Sequence, residues 1–343
     1  MPRRDVVVVA ASAGGIEALR NVLAGIPADY DAAICVVLHM SATSGVALPM
    51  ILDRSGPLPA TAARDGERVQ AGHVYVCVAD HHLLLSDGHL RVRRGPRENG
   101  YRPAADPLFR SAARFFGPRA IGVVLSGTLS DGAAGLAAIR REGGLAVVQD
   151  PADALYPGMP QHALEWVNAD YVATATEIGP LLARLVEEPL DDGDGGDNDD
   201  VDLPSDMRRE VAIMEHGPPG VGQPHPGNPS QWPCPDCNGV LWKVDDPDVL
   251  RFRCRVGHAW NGESLLEEQR AVVENALWMA LRSMEDRAEL SRALADRAET
   301  RGRRMTAERF RRNCDDLSSS MDVIRRLLGV DTTFEKGVRD HNA

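Results

Sequence analysis

The sequence predicts an α/β fold: a doubly wound, mostly parallel sheet with a β-hairpin excursion, then a small cysteine-bearing module and a C-terminal α-helical hairpin or coiled coil. Three observations predict it. Apolar β-rich runs alternate with helical stretches from residue 6 to about 186. Three cysteines and a histidine cluster between residues 234 and 258, and apolar residues recur at helical spacing from residue 266 onward.

The elements follow in order. Val6-Val7-Val8-Val9-Ala10-Ala11 reads as a buried strand that breaks at Ser12, Gly14 and Gly15, just as a helical pattern begins at Ile16. Residues 34–38 form a second strand ending at His39-Met40. Residues 74–78 and 82–92 are short apolar runs, with Asp87-Gly88 where a tight turn belongs, so an antiparallel excursion is expected. A helical stretch at 107–116 leads to the strand 121–125, which ends in Ser126-Gly127-Thr128-Leu129-Ser130-Asp131-Gly132. Helical patterns at 135–141 and 160–167 alternate with strands at 145–148 and 171–173.

Beyond residue 188 the periodicity disappears into aspartate, glycine and proline, which reads as a linker over 189–230 with one short helical piece at 207–214. The predicted organisation is a catalytic-type domain over 1–188, that linker, a compact module over 231–262 and a helical region over 263–343. In the last, Leu266, Gln269, Val273, Ala276, Leu277, Ala280, Met284 and Ala288 keep helical spacing, and a break is expected near Arg301-Gly302 or Asn313.

Composition narrows the function classes. A net charge of −12 argues against a general nucleic-acid binder, although 191–202 alone holds seven of the acids. No basic segment followed by an apolar run opens the chain, and no apolar run approaches membrane-spanning length, so a soluble, cytoplasmic protein is expected. Six cysteines are too few for a disulfide scaffold in a chain of 343 residues. Cys35 and Cys77 lie in apolar runs and read as packed, inert thiols.

Ser12, His39 and Asp131 each follow a strand. In an open parallel sheet the carboxyl ends of the strands share one edge, so the three can meet there. A serine hydroxyl is a poor nucleophile until an imidazole accepts its proton and a carboxylate holds that imidazole. Gly14 and Gly15 leave amide hydrogens at a helix start, where an oxyanion can be stabilised. The chain order Ser, His, Asp is not that of the α/β-hydrolases. Two other readings stand beside a triad: a phosphate- or dinucleotide-binding turn, which lacks an acid after the second strand, and a Ser12 that only caps a helix.

Cys234, Cys237, Cys254 and His258 make a C-x2-C-x16-C-x3-H pattern, the paired spacing of a structural, four-ligand zinc site, so the module over 231–262 is expected to be zinc-ribbon-like. Trp242, Val244, Phe252 and Trp260 would cover it. The metal-free alternative is a set of buried thiols or a redox pair. Arg251, Arg253 and Arg255 make the module basic, and the following helices mix arginines with acids at helical spacing, which predicts a salt-bridged, solvated face. Homodimerisation or partner docking through the helical stripe is the expected role of the tail; nucleic-acid binding is the lesser reading, since no aromatic stacking platform accompanies the arginines.

A resemblance bears on these alternatives. Ala10-Ala11-Ser12-Ala13-Gly14-Gly15, Leu38-His39-Met40, Asp65-Gly66-Glu67-Arg68-Val69, Tyr101-Arg102-Pro103, Asp106-Pro107-Leu108-Phe109, Leu125-Ser126-Gly127 with Asp131-Gly132-Ala133-Ala134-Gly135, and Pro157-Gly158-Met159-Pro160 closely resemble, in order and spacing, the catalytic domain of CheB-type protein-glutamate methylesterases. The resemblance implies a serine hydrolase that cleaves γ-glutamyl methyl esters on chemoreceptor-like proteins, sometimes deamidating glutamine, with no catalytic cofactor and a methyltransferase as pathway partner. It implies Ser12 as nucleophile, His39 as general base and Asp131 as its orienting partner. The Thr128 amide falls where the family has an oxyanion donor, Ala13 and Gly14 line the cleft, and Arg102 matches a family arginine that either binds an acidic substrate or braces a loop.

Three departures accompany it. Ala10 stands where the family usually has glycine, Ala13 where threonine is common, and Thr128-Leu129-Ser130 replaces methionine-glycine-asparagine. The chain also opens directly on the first strand of the resembling region, so a stand-alone esterase without a receiver domain is expected. A catalytically idle scaffold that binds a partner through its tail is the competing hypothesis.

Overall fold

The computed structural model describes residues 2–43, 47–190, 205–217 and 227–330. The acidic stretch 191–202 and the prolines at 218–226 lie outside the described residues. The chain divides into two compact units, Met1–Leu266 and Glu267–Ala343.

The first unit is built on β1 (Val6–Ala11), α1 (Gly15–Ala24), β2 (Ala33–Leu38), α2 (Ala47–Asp53), β3 (Ala60–Ala62) and β4 (Val74–Val76). Then come β5 (His82–Ser86), β6 (His89–Arg93), α3 (Ala105–Phe116), β7 (Ala120–Val124), α4 (Ala133–Arg141), β8 (Leu145–Gln149), α5 (Gly158–Trp166), β9 (Tyr171–Ala173) and α6 (Ala175–Glu187). Seven strands form one sheet in the order β3-β4-β2-β1-β7-β8-β9, every pair parallel. That is the doubly wound sheet the alternation predicts.

All six residues of β1 are buried because helices cover both faces, which is why its sequence reads as an unbroken apolar run. Val6, Val8 and Ala10 pack into one core layer with Leu108, Phe109 and Leu136; Val7, Val9 and Ala11 pack into the other with Leu19, Val22 and Leu182. Strand order reverses direction between β1 and β7, and this switch point opens a crevice beyond the strand ends.

The antiparallel excursion is confined to β5 and β6, joined at Asp87-Gly88 with φ of 53° and 70°, the two left-handed positions of a tight hairpin turn. The run at 74–78 takes no part in it. Its first three residues, β4, pair with β2 and β3 inside the main sheet.

Helix α7 (Ser205–His216) follows, and then β10 (Asn228–Pro233), β11 (Val240–Val244), β12 (Arg251–Cys254) and β13 (Ala259–Asn261) form a four-stranded antiparallel sheet. Cys234, Leu241, Phe252, Cys254, Trp260 and Leu265 make its small core. The expectation of a solvated basic face fails for two arginines here. Arg253 is 1% exposed and Arg251 5%, because Glu98 and Glu210 draw in the first and Glu210 and Asp246 the second. Arg253 donates to Glu98 at 2.6 Å and to Glu210 at 2.9 Å, Arg251 donates to Glu210 at 2.5 Å, and Arg110 of α3 donates to both oxygens of Glu98. Burial alone would raise the carboxyls of Glu98 and Glu210; the guanidinium charges outweigh it and hold both below the ordinary range.

Helix α8 (Gly262–Thr300) begins in the first unit and runs on into the second, where it and α9 (Arg304–Leu327) form a helical hairpin whose seam contains Leu281, Ala288 and Met321. The break falls at 301–303, where Gly302 takes φ 68°. The salt-bridged face is present here: Arg325 pairs with Glu285 at 3.1 Å, and Arg311 with Glu299. Among the described residues no helix is long and apolar enough to cross a membrane.

Candidate active site

Ser12, His39 and Asp131 sit beyond the carboxyl ends of β1, β2 and β7, three neighbouring strands that span the switch point. β1 and β2 pair Ala11 with Leu38, and the His39 amide donates to the Ala11 carbonyl at 3.1 Å, so Ser12 and His39 occupy the next register position on adjacent strands. Neighbouring strands lie about 4.8 Å apart. Gly14, with φ 72°, lets the chain turn from Ser12 straight into α1.

The imidazole of His39 is held on two sides. Its Nε2 lies 2.7 Å from Asp131 Oδ2, and the Tyr101 ring stacks on it at 3.7 Å between centroids and 8° between planes. Nδ1 is buried without a hydrogen-bond partner. An ionised Asp131 fixes the hydrogen on Nε2, which leaves the Nδ1 lone pair as the proton acceptor of the ring. No hydrogen bond joins Ser12 Oγ to His39 among the described residues.

Asp131 is over-determined. Besides His39 it accepts from Asn99 Nδ2 at 2.9 Å and from the Ala105 and Asp106 amides at 2.6 and 3.4 Å, the latter two at the start of α3. Burial would raise its pKa; the His39 hydrogen bond and charge, the Ala105 amide and the Asn99 amide reverse this and hold Asp131 below its ordinary value. Asp106 alongside goes the other way. Burial first, and then the charge of Asp131, push it up to about 7. Asp106 accepts from the Gly132 and Gly135 amides, so it pins the loop that carries Asp131.

Ser126 ties the remaining walls together. Its hydroxyl donates to the Ala13 carbonyl at 2.8 Å and accepts from the Tyr156 amide at 3.0 Å, while its own amide donates to Gln149. The amides of Ala13, Gly14 and Thr128 make no hydrogen bond among the described residues, whereas the Gly15 amide donates to the Ser12 carbonyl at 2.9 Å. Leu129 takes φ 63° beside Thr128, the left-handed conformation that suits the glycine expected there. Arg102 is braced: it donates twice to Asp80 and once to the Gly95 carbonyl.

Gly127 has no room for a side chain. A Cβ there would lie 2.1 Å from Met159 Sδ and 2.8 Å from Ser12 Cβ. The thioether can swing away, but Ser12 is anchored by its backbone, so Gly127→Ala is expected to displace it and lower kcat about tenfold or more with little change in KM. Steady-state kinetics on an aryl ester check this.

A family model described as CheB methylesterase matches residues 7–182. The chain belongs to the CheB methylesterase family. A Leptospira interrogans relative named for protein-glutamate methylesterase and protein-glutamine glutaminase is 37% identical over 188 residues, which are 54% of this chain and 97% of the relative. An Anaeromyxobacter dehalogenans protein-glutamate methylesterase/protein-glutamine glutaminase is 42% identical over 53% of this chain, and the match spans 54% of that protein. The crystal structure of the Thermotoga maritima CheB methylesterase catalytic domain superposes with a TM-score of 0.51 and 32% identity, covering 53% of this chain and 98% of that one. The CheB-matching segment carries Ser12, His39 and Asp131. The cysteine-bearing sheet and the helical hairpin lie outside it.

In that sheet Cys234, Cys237, Cys254 and His258 bring their ligand atoms within 4.8 Å of one another. Cys237 and Cys254 sulfurs are 3.6 Å apart, and His258 Nδ1 lies 3.7 and 3.5 Å from the sulfurs of Cys234 and Cys254. Ligands about 2.0–2.3 Å from a tetrahedral zinc stand about 3.5–3.8 Å apart, a range that contains these three separations. Two tight turns present them, one closed by Asn238 N–H to the Cys234 carbonyl and the other by Gly257 N–H to that of Cys254. Cys35 and Cys77 are elsewhere, buried, with thiols pushed up to about 12 by burial.

Asn99 and Asn261 were not legible as site residues. Asn99-Gly100 is an Asn-Gly pair with φ of 52° and 80°, closed on both sides by Glu98 and Tyr101 hydrogen bonds. That dipeptide was the available signal.

Proposed function

We propose that this chain hydrolyses γ-glutamyl methyl esters on chemoreceptor-like proteins, and deamidates glutamine side chains at the same site. The observation that carries the reading is the His39 imidazole, clamped by Tyr101 and Asp131 with Nδ1 unpaired, at the register position opposite Ser12 on the neighbouring strand. In this reading His39 Nδ1 takes the Ser12 proton as Oγ attacks the ester carbonyl. The oxyanion is met by the Thr128 amide with those of Ala13 and Gly14. His39 returns the proton to the departing methoxide, releasing methanol, and water then repeats the cycle to free the glutamate. With glutamine the leaving group is ammonia. Asp131 stays ionised throughout and steadies the imidazolium. Arg102, tied to Asp80, braces the cleft wall.

The test is methanol release from a methyl-esterified chemoreceptor fragment, made by the methyltransferase that would partner this enzyme. Wild type is expected to release it and Ser12→Ala to fall to background; equal release by both removes the nucleophile assignment.

The Cys234, Cys237, Cys254 and His258 set is read as a structural zinc site, closed by four protein ligands, that adds stability to a sheet with a small core. Elemental analysis is expected to give about one zinc per chain, lost in the Cys234→Ser/Cys237→Ser double variant along with several degrees of melting temperature. The helical hairpin leaves Met279, Leu290 and Leu327 exposed, which favours a homodimer through this unit; sedimentation at varied concentration checks it.

A further inference from the structure

The last strand of the cysteine-bearing sheet reaches into the hydrogen-bond network around Asp131. Ala259 pairs with Glu98, and the Asn99 amide donates to the Ala259 carbonyl at 2.8 Å. Asn261 is 1% exposed and fully engaged. Its Oδ1 accepts from the Ser130 hydroxyl at 3.0 Å and the Ser264 amide at 2.8 Å, its Nδ2 donates to the Ser130 carbonyl, and its backbone amide donates to Asn99 Oδ1 at 2.9 Å.

The consequence for Asn99 is definite. Its carbonyl oxygen is claimed by Asn261, so its amide nitrogen must face the two carboxylates, 2.9 Å from Asp131 and 3.0 Å from Asp106. Turned over, it would set an oxygen against both. The consequence for the loop is as direct. Ser130, the neighbour of Asp131, has both its hydroxyl and its carbonyl held by one side chain.

We propose that Asn261 is a positioning residue for hydrolysis at Ser12: it fixes the Ser130-Asp131 loop and the orientation of Asn99, and through them the seat of the carboxylate that holds His39. The cysteine-bearing sheet is therefore part of the esterase site, although the residues that react all lie in the CheB-matching segment. This rests on the hydrolase reading above. Misplacing a catalytic group by a fraction of an ångström slows chemistry without weakening binding, so the effect belongs in kcat.

The experiment compares full-length wild type, Asn261→Leu, Ser130→Ala and the double variant on one aryl ester, with reactive serines counted by fluorophosphonate titration. Asn261→Leu is expected to lower kcat per titrated serine about tenfold at unchanged KM, and the double variant to lose no more than the larger single loss. A loss of stability alone reduces the number of titrated serines and leaves kcat per serine at the wild-type value, which overturns the proposal. Additive losses overturn the route through Ser130. A wild type that does not label overturns the hydrolase reading and this one with it; a wild type that labels and turns over as Asn261→Leu does overturns the positioning role alone.

Discussion

Asp131→Asn is expected to lower kcat about 10⁴-fold, the scale of loss when a triad carboxylate becomes an amide. The reason lies in the donors around it. Oδ2 faces His39 Nε2 and the Ala105 amide, and Oδ1 faces Asn99 Nδ2 and the Asp106 amide. An amide nitrogen on either side meets a donor. Placed at Oδ2 it drives the hydrogen of His39 onto Nδ1, the atom that must accept the Ser12 proton. Placed at Oδ1 it opposes Asn99 and still removes the charge that steadies the imidazolium. Kinetics on an aryl ester, with circular dichroism to confirm the fold, measure this; activity within about tenfold of wild type would contradict the role given to Asp131.

Arg253→Leu is expected to destabilise the first unit by about 3–5 kcal/mol, the cost of leaving a buried partner charge uncompensated. Glu98 and Glu210 are 1% exposed each and share this guanidinium, which also caps the Gly257 carbonyl at 2.7 Å. Urea unfolding gives the number. The same cluster sets an acid limit. Both glutamates hold folded-state values below the 4.5 of an ordinary glutamate, so the stability they contribute is complete above that value and is lost as pH falls through the folded values. Asp106, raised to about 7, opposes this only between 3.8 and 7, and below 3.8 it is protonated in both states. The urea midpoint is therefore expected to fall steadily as pH drops below 3.8.

The sheet and its three strand-end residues were legible because they are local facts. A strand buried on both faces must read as an apolar run, and where it stops the next polar side chain reaches the crevice. The hairpin was half legible: Asp87-Gly88 named the turn, but nothing in the run at 74–78 distinguishes a hairpin arm from the parallel β4. The docking of the cysteine-bearing sheet was not legible. Arg251 and Arg253 have the composition of a solvated face, and it is Glu98 and Glu210, 155 and 43 residues from Arg253, that hold Arg253 inside; Arg251 shares Glu210 and also pairs with nearby Asp246. Asn261 was silent for the same reason, since its partner Asn99 lies 162 residues away. Long-range polar pairing leaves no period to read.

The most direct measurement of the central claim is the site of covalent labelling by a fluorophosphonate, located by mass spectrometry of tryptic peptides from wild type and His39→Ala. One label on Ser12 in the wild type, and a labelling rate reduced about a thousandfold or more in His39→Ala, is the result the geometry predicts. A label on another residue, or Ser12 reacting equally fast without the imidazole, would contradict it.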